Sequence, residues 1–233
     1  NYFQKIYRDV RQIFLNVTLK KTRPSVIYIT EFSKHILKPL LSFPKHEFYL
    51  ENHVEFLNRS KVKVKNNKEY LFIGRMSGEK APELFCKAIT EANVRGTVIG
   101  SGPQLEKLKE KYGDIHFTGW LSTEEMEQYI SKARCLVISS KWYETMGLTV
   151  LEMQARGIPC IVPDKCAASE YVKHKKNGLI YKIGNINSLV EVIDITKDDK
   201  VIERFGNDFY NEFDENKYSM KRHTDTLIDI YNF

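Results

Sequence analysis

From residue 69 onwards, short apolar segments alternate regularly with longer segments of helical periodicity. Strands are predicted at 70–73, 97–99, 115–117, 135–139, 159–162 and 178–181. Helices are predicted at 81–92, 104–112, 123–133, 147–156 and 168–174, and Ser122 with Glu125 has the spacing of a capping box for the third of these. Because βαβ crossovers join parallel strands, this alternation predicts an α/β fold, a Rossmann-like parallel sheet with helices on both faces.

The segments that flank this region follow other patterns. The sequence predicts an amphipathic helix at 2–20, a strand at 26–29, a helical segment from Glu31 that Pro39 and Pro44 interrupt, a Lys- and Asn-rich linker at 55–68, and a last helix at 214–232. We therefore predict four parts: an N-terminal remnant at 1–45, a linker at 46–68, the α/β domain at 69–205, and a closing C-terminal helix at 206–233.

Composition excludes several classes of function. The net charge of +6 comes from scattered Lys and Arg without a recognition motif, so no nucleic-acid partner is expected. No apolar run is long enough to span a bilayer, and no zinc motif is present. The four cysteines lie in apolar surroundings without C-x-x-C spacing, which favours buried thiols and a cytoplasmic location.

Two familiar phosphate-binding motifs are incomplete. The glycine fingerprint of dinucleotide enzymes would begin at Gly100 and Gly102, but its third glycine is replaced by Leu105. The segment 74–81 lacks the spacing and the hydroxyl of a P-loop. The sequence also contains no D-x-D triplet that could hold a metal ion. A nucleotide-sugar epimerase or dehydrogenase is therefore disfavoured.

A charged turn follows the first strand of the α/β region. Gly74 is followed by Arg75, and Lys80 comes five residues later, at the end of the strand where ligands bind in parallel sheets. An arginine fork and a lysine point charge at this place can stabilise a diphosphate leaving group without a metal ion. The alternative is a solvated turn with no ligand.

Two glutamates flank a predicted loop-to-helix junction. Glu144 lies in the loop and Glu152 on the helix, while the backbone amides of Met146, Gly147 and Leu148 offer an anion site between them. One carboxylate could accept hydrogen bonds from sugar hydroxyls and the other from a ribose. The alternative assigns Glu144 to the helix dipole and Glu152 to the surface.

Together these motifs resemble the large retaining glycosyltransferase family 4, of the GT-B fold. The resemblance depends on an ordered set: F-x-G-R-x-x-x-E-K at 72–80, G-S-G-P at 100–103, F-x-G at 117–119, the Glu144 and Glu152 pair, A-x-G-x-P at 155–159, Glu170, and N-G at 177–178. It implies that the α/β domain is the C-terminal, donor-binding half of such an enzyme, and that 1–45 is a remnant of the acceptor-binding domain.

The resemblance also implies the site residues. Arg75 and Lys80 bind the donor diphosphate, Glu144 contacts the transferred sugar, and these three are the expected catalytic residues. The expected donor contacts are Gly74, Arg75, Lys80, Gly100, His116, Phe117, Thr118, Glu144, Thr145, Met146, Gly147, Leu148 and Glu152. No cofactor, metal or covalent nucleophile is expected, and the donor is a UDP- or GDP-sugar transferred with retention of configuration.

One departure from the family and one alternative function accompany this interpretation. Cys166 and Ala167 stand where the family often has two glycines, so a Cβ there is expected to crowd the turn or to alter donor preference.

The acceptor is expected to be a glycan or a lipid-linked acceptor, with peripheral contact at the inner membrane face. The alternative is a non-catalytic nucleotide-sugar-binding or scaffold subunit.

Overall fold

The computed structural model describes residues 2–39, 44–55 and 60–233. The chain divides by its contacts into two compact units, Asn1–His53 with Tyr218–Phe233, and Val54–Lys217. Part of the predicted interruption between Pro39 and Pro44, and residues 56–59 of the predicted linker, lie outside the described residues. The division into two units does not test the four-part domain assignment, which stays a prediction.

The described residues form eight strands and nine α-helices. The strands are β1 (Val26–Tyr28), β2 (Glu47–Tyr49), β3 (Glu69–Ile73), β4 (Arg95–Ile99), β5 (His116–Gly119), β6 (Ala133–Val137), β7 (Cys160–Pro163) and β8 (Leu179–Tyr181). The helices are α1 (Tyr2–Thr22), α2 (Glu31–Leu37), α3 (Pro82–Glu91), α4 (Leu105–Lys111), α5 (Thr123–Ile130), α6 (Leu148–Gln154), α7 (Ile186–Ile195), α8 (Asp199–Asn211) and α9 (Met220–Tyr231).

The second unit is built on a six-stranded parallel sheet in the order β5-β4-β3-β6-β7-β8. The strands are short, and β4, β6 and β7 are almost entirely buried, as expected for a sheet covered on both faces, whereas the edge strand β5 is partly exposed. This confirms the predicted α/β class. The chain adds strands on one side of β3 and then returns to add β6 on the other, so the strand order reverses between β3 and β6.

Local signals explain most of the helices in this unit. The capping box of Ser122 and Glu125 is present at the start of α5, as predicted. Asn185 and Asp198 cap α7 and α8, two helices that the sequence interpretation did not assign. The Lys-rich segment before β3 places Val62 and Val64 in the hydrophobic core, since alternate residues there face inward.

The predicted helix at 168–174 is wrong. Only a 3₁₀ turn forms, at Ala167–Glu170. The backbone then turns again, because the Asn177 side chain accepts a hydrogen bond from the Lys173 amide at 2.6 Å and donates to the Tyr171 carbonyl at 3.4 Å. These side-chain bonds offer the backbone an alternative to helical pairing.

The first unit contains a two-stranded parallel pair, β1 with β2, and the helices α1, α2 and α9. A capping box between Thr30 and Ser33 begins α2. The helix α1 carries the predicted apolar stripe, and its side chains at Phe3, Ile6, Tyr7, Val10, Phe14 and Val17 are exposed. Within the described residues, no helix combines the length and apolar character needed to span a bilayer.

Candidate active site

A small pocket lies where the strand order reverses. It is formed by the carboxyl ends of β3 and β6 together with the loop that follows β6 and the start of α6, and its volume is about 30 Å³. Its lining residues are Phe72, Ile73, Lys80, Val137, Ile138, Ser139, Ser140, Glu144, Gly147 and Thr149. In open α/β sheets the ligand crevice forms at such a reversal, outside the carboxyl ends of the strands.

An ion pair lies at the centre of this pocket. The Lys80 ammonium is 2.7 Å from Oε1 of Glu144, and the two side chains are 36% and 15% exposed. The Ser140 hydroxyl donates to the same carboxylate oxygen. The structure therefore brings together two of the three predicted catalytic side chains, although they are far apart in the sequence.

Two serines missed by the sequence interpretation hold these charges in place. Ser139 donates to the carbonyls of Lys80 and Ala81, both at 3.0 Å, which ties the turn after β3 to the end of β6. Ser139 and Ser140 are both almost fully buried. The signal was available, because a pair of hydroxyl residues directly after an apolar strand marks the carboxyl edge of a parallel sheet.

Arg75 lies in the turn after β3, and its side chain is exposed. Within the described part of the chain the Arg75 guanidinium makes no hydrogen bond or ion pair, although the Arg75 carbonyl accepts from the Ser77 amide at 3.0 Å. Nearby, Ser77 donates to the carboxylate of Glu79 at 2.6 Å. This bond, assisted by a backbone bond and by the charges of Arg75 and Lys80, lowers the pKa of Glu79. Arg75 is thus a solvated cation beside the pocket and is not part of its lining.

Gly74 and Gly100, which directly follow β3 and β4, have a packing role. The Gly74 amide donates to the Ile99 carbonyl at 3.0 Å, and the Gly100 amide donates to the Gly119 carbonyl at 2.8 Å. Gly100 has a φ of +141°, and a Cβ there would lie 1.9 Å from the Gly74 carbonyl oxygen. Only glycine permits this close approach, which joins the ends of β3, β4 and β5.

Three of the predicted donor contacts, His116, Phe117 and Thr118, occupy β5 and do not line the pocket. His116 begins the strand, is exposed, and stacks on Tyr129 with ring centroids 5.8 Å apart. Phe117 packs against the hydrophobic core, and Thr118 donates to the Gly119 carbonyl at 2.9 Å. Since β5 runs towards the ligand edge, His116 lies at the far end of this strand.

The loop before α6 packs closely on the segment that follows β7. Gly147 has a φ of +81°, and a Cβ there would lie 2.9 Å from the Ala168 Cβ. The Ala167 amide donates to the Glu144 carbonyl at 3.3 Å, which fixes the backbone of the glutamate. Of the other predicted contacts in this loop, Met146 is buried, while Thr145 and Leu148 are exposed.

Cys166 does not strain the turn in which it replaces a family glycine. Its φ of −150° is extended backbone that any residue adopts, and its side chain is fully buried. Burial raises the pKa of its thiol to about 12, so the group is a neutral packing element at physiological pH. The predicted crowding of the backbone is therefore absent at this position.

Glu152 lies on α6 in a partly buried position. Burial raises the pKa of its carboxyl above the ordinary value of 4.5. Within the described residues it has no hydrogen-bond donor and no ion-pair partner. A desolvated carboxylate without a donor is a strong candidate for binding the hydroxyl groups of a ligand.

No group of three or more His, Cys, Asp or Glu in the described part of the chain is arranged to hold a metal ion. The candidate site instead supplies its positive charge from Lys80, with Arg75 beside it. Independence from metal remains a prediction.

The sequence matches the family of glycosyl transferases group 1 over residues 53–220. The chain belongs to this family. Its matched region begins at the end of the first compact unit and includes the whole parallel sheet and the pocket. The resemblance inferred from the motifs is therefore confirmed.

Two curated relatives illustrate the range of this family. The chain is 25% identical over 202 residues to the UDP-Gal:alpha-D-GlcNAc-diphosphoundecaprenol alpha-1,3-galactosyltransferase of Escherichia coli, a match covering 78% of the chain and 51% of the relative. It is 32% identical over 154 residues to the alpha-monoglucosyldiacylglycerol synthase of Streptococcus pneumoniae, covering 61% of the chain and 34% of the relative. The chain spans about half the length of the curated relatives it matches, or less.

Solved structures share the fold of this group 1 chain. Sucrose-phosphate synthase from Thermosynechococcus elongatus superimposes with a TM-score of 0.80 at 18% identity, covering 96% of the chain and 61% of that protein. HepE from Anabaena in complex with UDP-glucose superimposes with a TM-score of 0.77 at 17% identity, covering 94% of the chain and 68% of that protein. These likenesses show the α/β architecture of GT-B glycosyltransferases.

Proposed function

We propose that this chain is the donor-binding half of a retaining, metal-independent glycosyltransferase. The donor is a UDP- or GDP-sugar, and the acceptor is a glycan or a lipid-linked acceptor. The observation that carries the proposal is the Lys80 ammonium 2.7 Å from the Glu144 carboxylate, in the pocket at the reversal of strand order. A cation for phosphate and a carboxylate for hydroxyl groups thus lie side by side where ligands bind in such sheets.

The cations act on the leaving group. As the bond between the sugar C1 and the phosphate oxygen breaks, its electron pair moves to that oxygen, and negative charge grows on the diphosphate. Lys80 stabilises this charge as a point charge, and the exposed Arg75 side chain folds over to add a two-pronged contact. The leaving phosphate oxygen then takes the proton of the acceptor hydroxyl as that hydroxyl attacks C1 from the same face.

The two glutamates bind the neutral parts of the donor. Glu144 accepts hydrogen bonds from hydroxyls of the transferred sugar. Glu152 accepts them from the ribose, because its desolvated carboxylate lacks a donor in the described residues of this chain. The backbone amides of Met146, Gly147 and Leu148 contact the distal phosphate. The further donor contacts in this proposal are Gly74, Gly100, Phe117, Thr118 and Thr145, whereas the predicted contact His116 is left out because it lies at the end of β5 away from the ligand edge.

The proposed acceptor class draws on the relatives. The Escherichia coli relative acts on a diphosphoundecaprenol-linked sugar, and the pneumococcal relative is named for a glucosylated diacylglycerol. Both names support a lipid-linked acceptor, and contact with it at the cytoplasmic membrane face is part of the proposal. The net charge of +6 is compatible with peripheral contact with an anionic lipid surface.

Nucleotide binding by the 233-residue chain tests the first step of this proposal. UDP or GDP at a hundredfold excess over Kd should raise Tm by about 5–10 °C in the presence of EDTA. Arg75→Ala and Lys80→Ala should abolish the shift, because each removes a cation from the diphosphate. Thermal melts against a panel of nucleotides and nucleotide sugars make this measurement. Lys109→Ala, at an exposed lysine of α4, is the control and should retain the full shift.

Transfer assays with a nucleotide sugar and a glycan or lipid-linked acceptor test the second step. Product anomers identified by NMR should keep the donor configuration, and activity should persist in EDTA. Nucleotide binding without transfer would favour the non-catalytic subunit instead. No thermal response to any nucleotide would contradict the donor site itself.

A further inference from the structure

The pocket at the reversal of strand order is partly filled by the protein's own charged side chains. Lys80 and Glu144 are in contact at 2.7 Å, and the remaining volume is about 30 Å³. This is room for about one water molecule and far too little for a diphosphate. The charge of Lys80, which the proposed function assigns to the donor phosphate, is therefore already paired with the Glu144 carboxylate of the same chain.

We propose that Glu144 competes with the donor phosphate for Lys80 and is released to the sugar only when phosphate binds. The inference rests on the proposed function. In the ligand-free chain the carboxylate occupies the ammonium. A diphosphate, which carries more negative charge, takes its place, and the freed carboxylate turns to the sugar hydroxyls that arrive with the phosphate.

The surroundings of Glu144 allow its side chain to turn while its backbone stays fixed. The Ala167 amide holds the Glu144 carbonyl at 3.3 Å, so the loop remains attached to the segment after β7. The Ser140 hydroxyl is almost fully buried and donates to the same carboxylate oxygen as Lys80. When Lys80 moves to phosphate, this hydroxyl keeps the carboxylate at the rim of the pocket.

The exchange links recognition of the two parts of the donor. The carboxylate is free for sugar hydroxyls only after an anion has displaced it, so a sugar without phosphate meets a closed site. The apparent affinity for a nucleotide is reduced by the fraction of protein in which the pair is closed. Removing the carboxylate should therefore strengthen binding of a nucleotide that carries no sugar.

Calorimetric titration of UDP and GDP into the 233-residue chain tests the exchange. Glu144→Gln should bind the preferred nucleotide about three- to tenfold more tightly than the unaltered chain, the range expected for a partly exposed ion pair with a charged hydrogen bond. For the matching nucleotide sugar this gain should be smaller or absent, because the same variant loses the sugar contact.

The control is Glu79→Gln, which removes a negative charge from the same turn. Glu79 bonds to Ser77 and not to Lys80, so its replacement should leave nucleotide affinity within about twofold. Should Glu144→Gln fail to fold by circular dichroism, Glu144→Ala removes the same carboxylate and carries the same expectation.

The outcomes separate this inference from the proposed function. Failure of the unaltered chain to bind either nucleotide would overturn the proposed function, and the exchange with it. Normal binding by the unaltered chain, with equal or weaker binding by Glu144→Gln, would overturn the exchange alone. An equal gain in Glu79→Gln would also overturn it, because the effect would then come from the general field of the turn.

Discussion

At the scale of single residues, Glu152 shows how a proposed ligand-binding residue can carry a stability cost. Its carboxyl is partly removed from water, and the described part of the chain supplies no side-chain or backbone donor to replace the lost solvation. Desolvation disfavours the charged form, so the folded state holds this proton more tightly than the unfolded state. The cost is present whenever the carboxyl is ionised in both states.

Replacing Glu152 with Gln should therefore stabilise the ligand-free chain at neutral pH. Because the folded pKa is raised, the destabilising effect of the carboxylate is complete above that folded value. It disappears as the pH falls through that value towards the ordinary 4.5, where the folded state takes up the proton. Thermal melts from pH 4 to pH 8 should show a higher Tm for the variant at pH 7 and little difference at pH 4.

The same variant should weaken UDP or GDP binding about tenfold or more, since charged hydrogen bonds to the ribose are lost. Glu106→Gln, at an exposed position in α4, provides the control and should change neither property. A variant of Glu152 that bound nucleotide normally would remove this residue from the proposed ribose contact.

At the scale of elements, the strand ends are held together by backbone contacts that only glycine allows. Gly100→Ala would place a Cβ 1.9 Å from the Gly74 carbonyl oxygen, at a φ of +141°. We expect a loss of about 2–4 kcal/mol in the free energy of unfolding, measured by urea denaturation. Gly113→Ala, where a Cβ meets no atom within 4 Å, should change stability by less than about 1 kcal/mol. Equal effects of the two substitutions would contradict the packing role of Gly100.

The alternation of strands and helices could be predicted from sequence because it depends on local periodicity. The six strands of the sheet and the capping box of α5 followed from apolar runs and from two side chains three residues apart. The helix predicted at 168–174 failed because hydrogen bonds of the Asn177 side chain turn the backbone there. A periodic pattern does not reveal such competition.

The contact between Lys80 and Glu144 shows the limit of sequence reasoning about the site. Both residues were predicted to be catalytic. Their contact across 64 positions of sequence, however, depends on β3 lying beside β6 in the sheet. That neighbour relation is a property of strand order, which local patterns leave open. For the same reason local patterns could mark Ser139 and Ser140 as strand-end hydroxyls but not identify their partners, which come from the turn after β3 and from Glu144.

At the scale of the whole molecule, the second compact unit has its own hydrophobic core. The buried cluster runs from Val62 to Phe209, within the limits Val54–Lys217. A polypeptide of these residues should unfold in one cooperative transition and keep the nucleotide-induced rise in Tm of the 233-residue chain. The Arg75→Ala form of this polypeptide is the control and should lose the rise. A broad melt without cooperativity would show that this unit depends on the rest of the chain.

The position of β3 has a consequence for biosynthesis. Of the six strands of the large sheet, β3 is synthesised first. Its next neighbour, β4, can pair with one of its edges once α3 and β4 have been synthesised. Its other side must wait for β6, which leaves the ribosome only after three helices and two further strands. An apolar strand with an open edge is prone to pair with other chains, so this interval is the period in which chaperones would matter most.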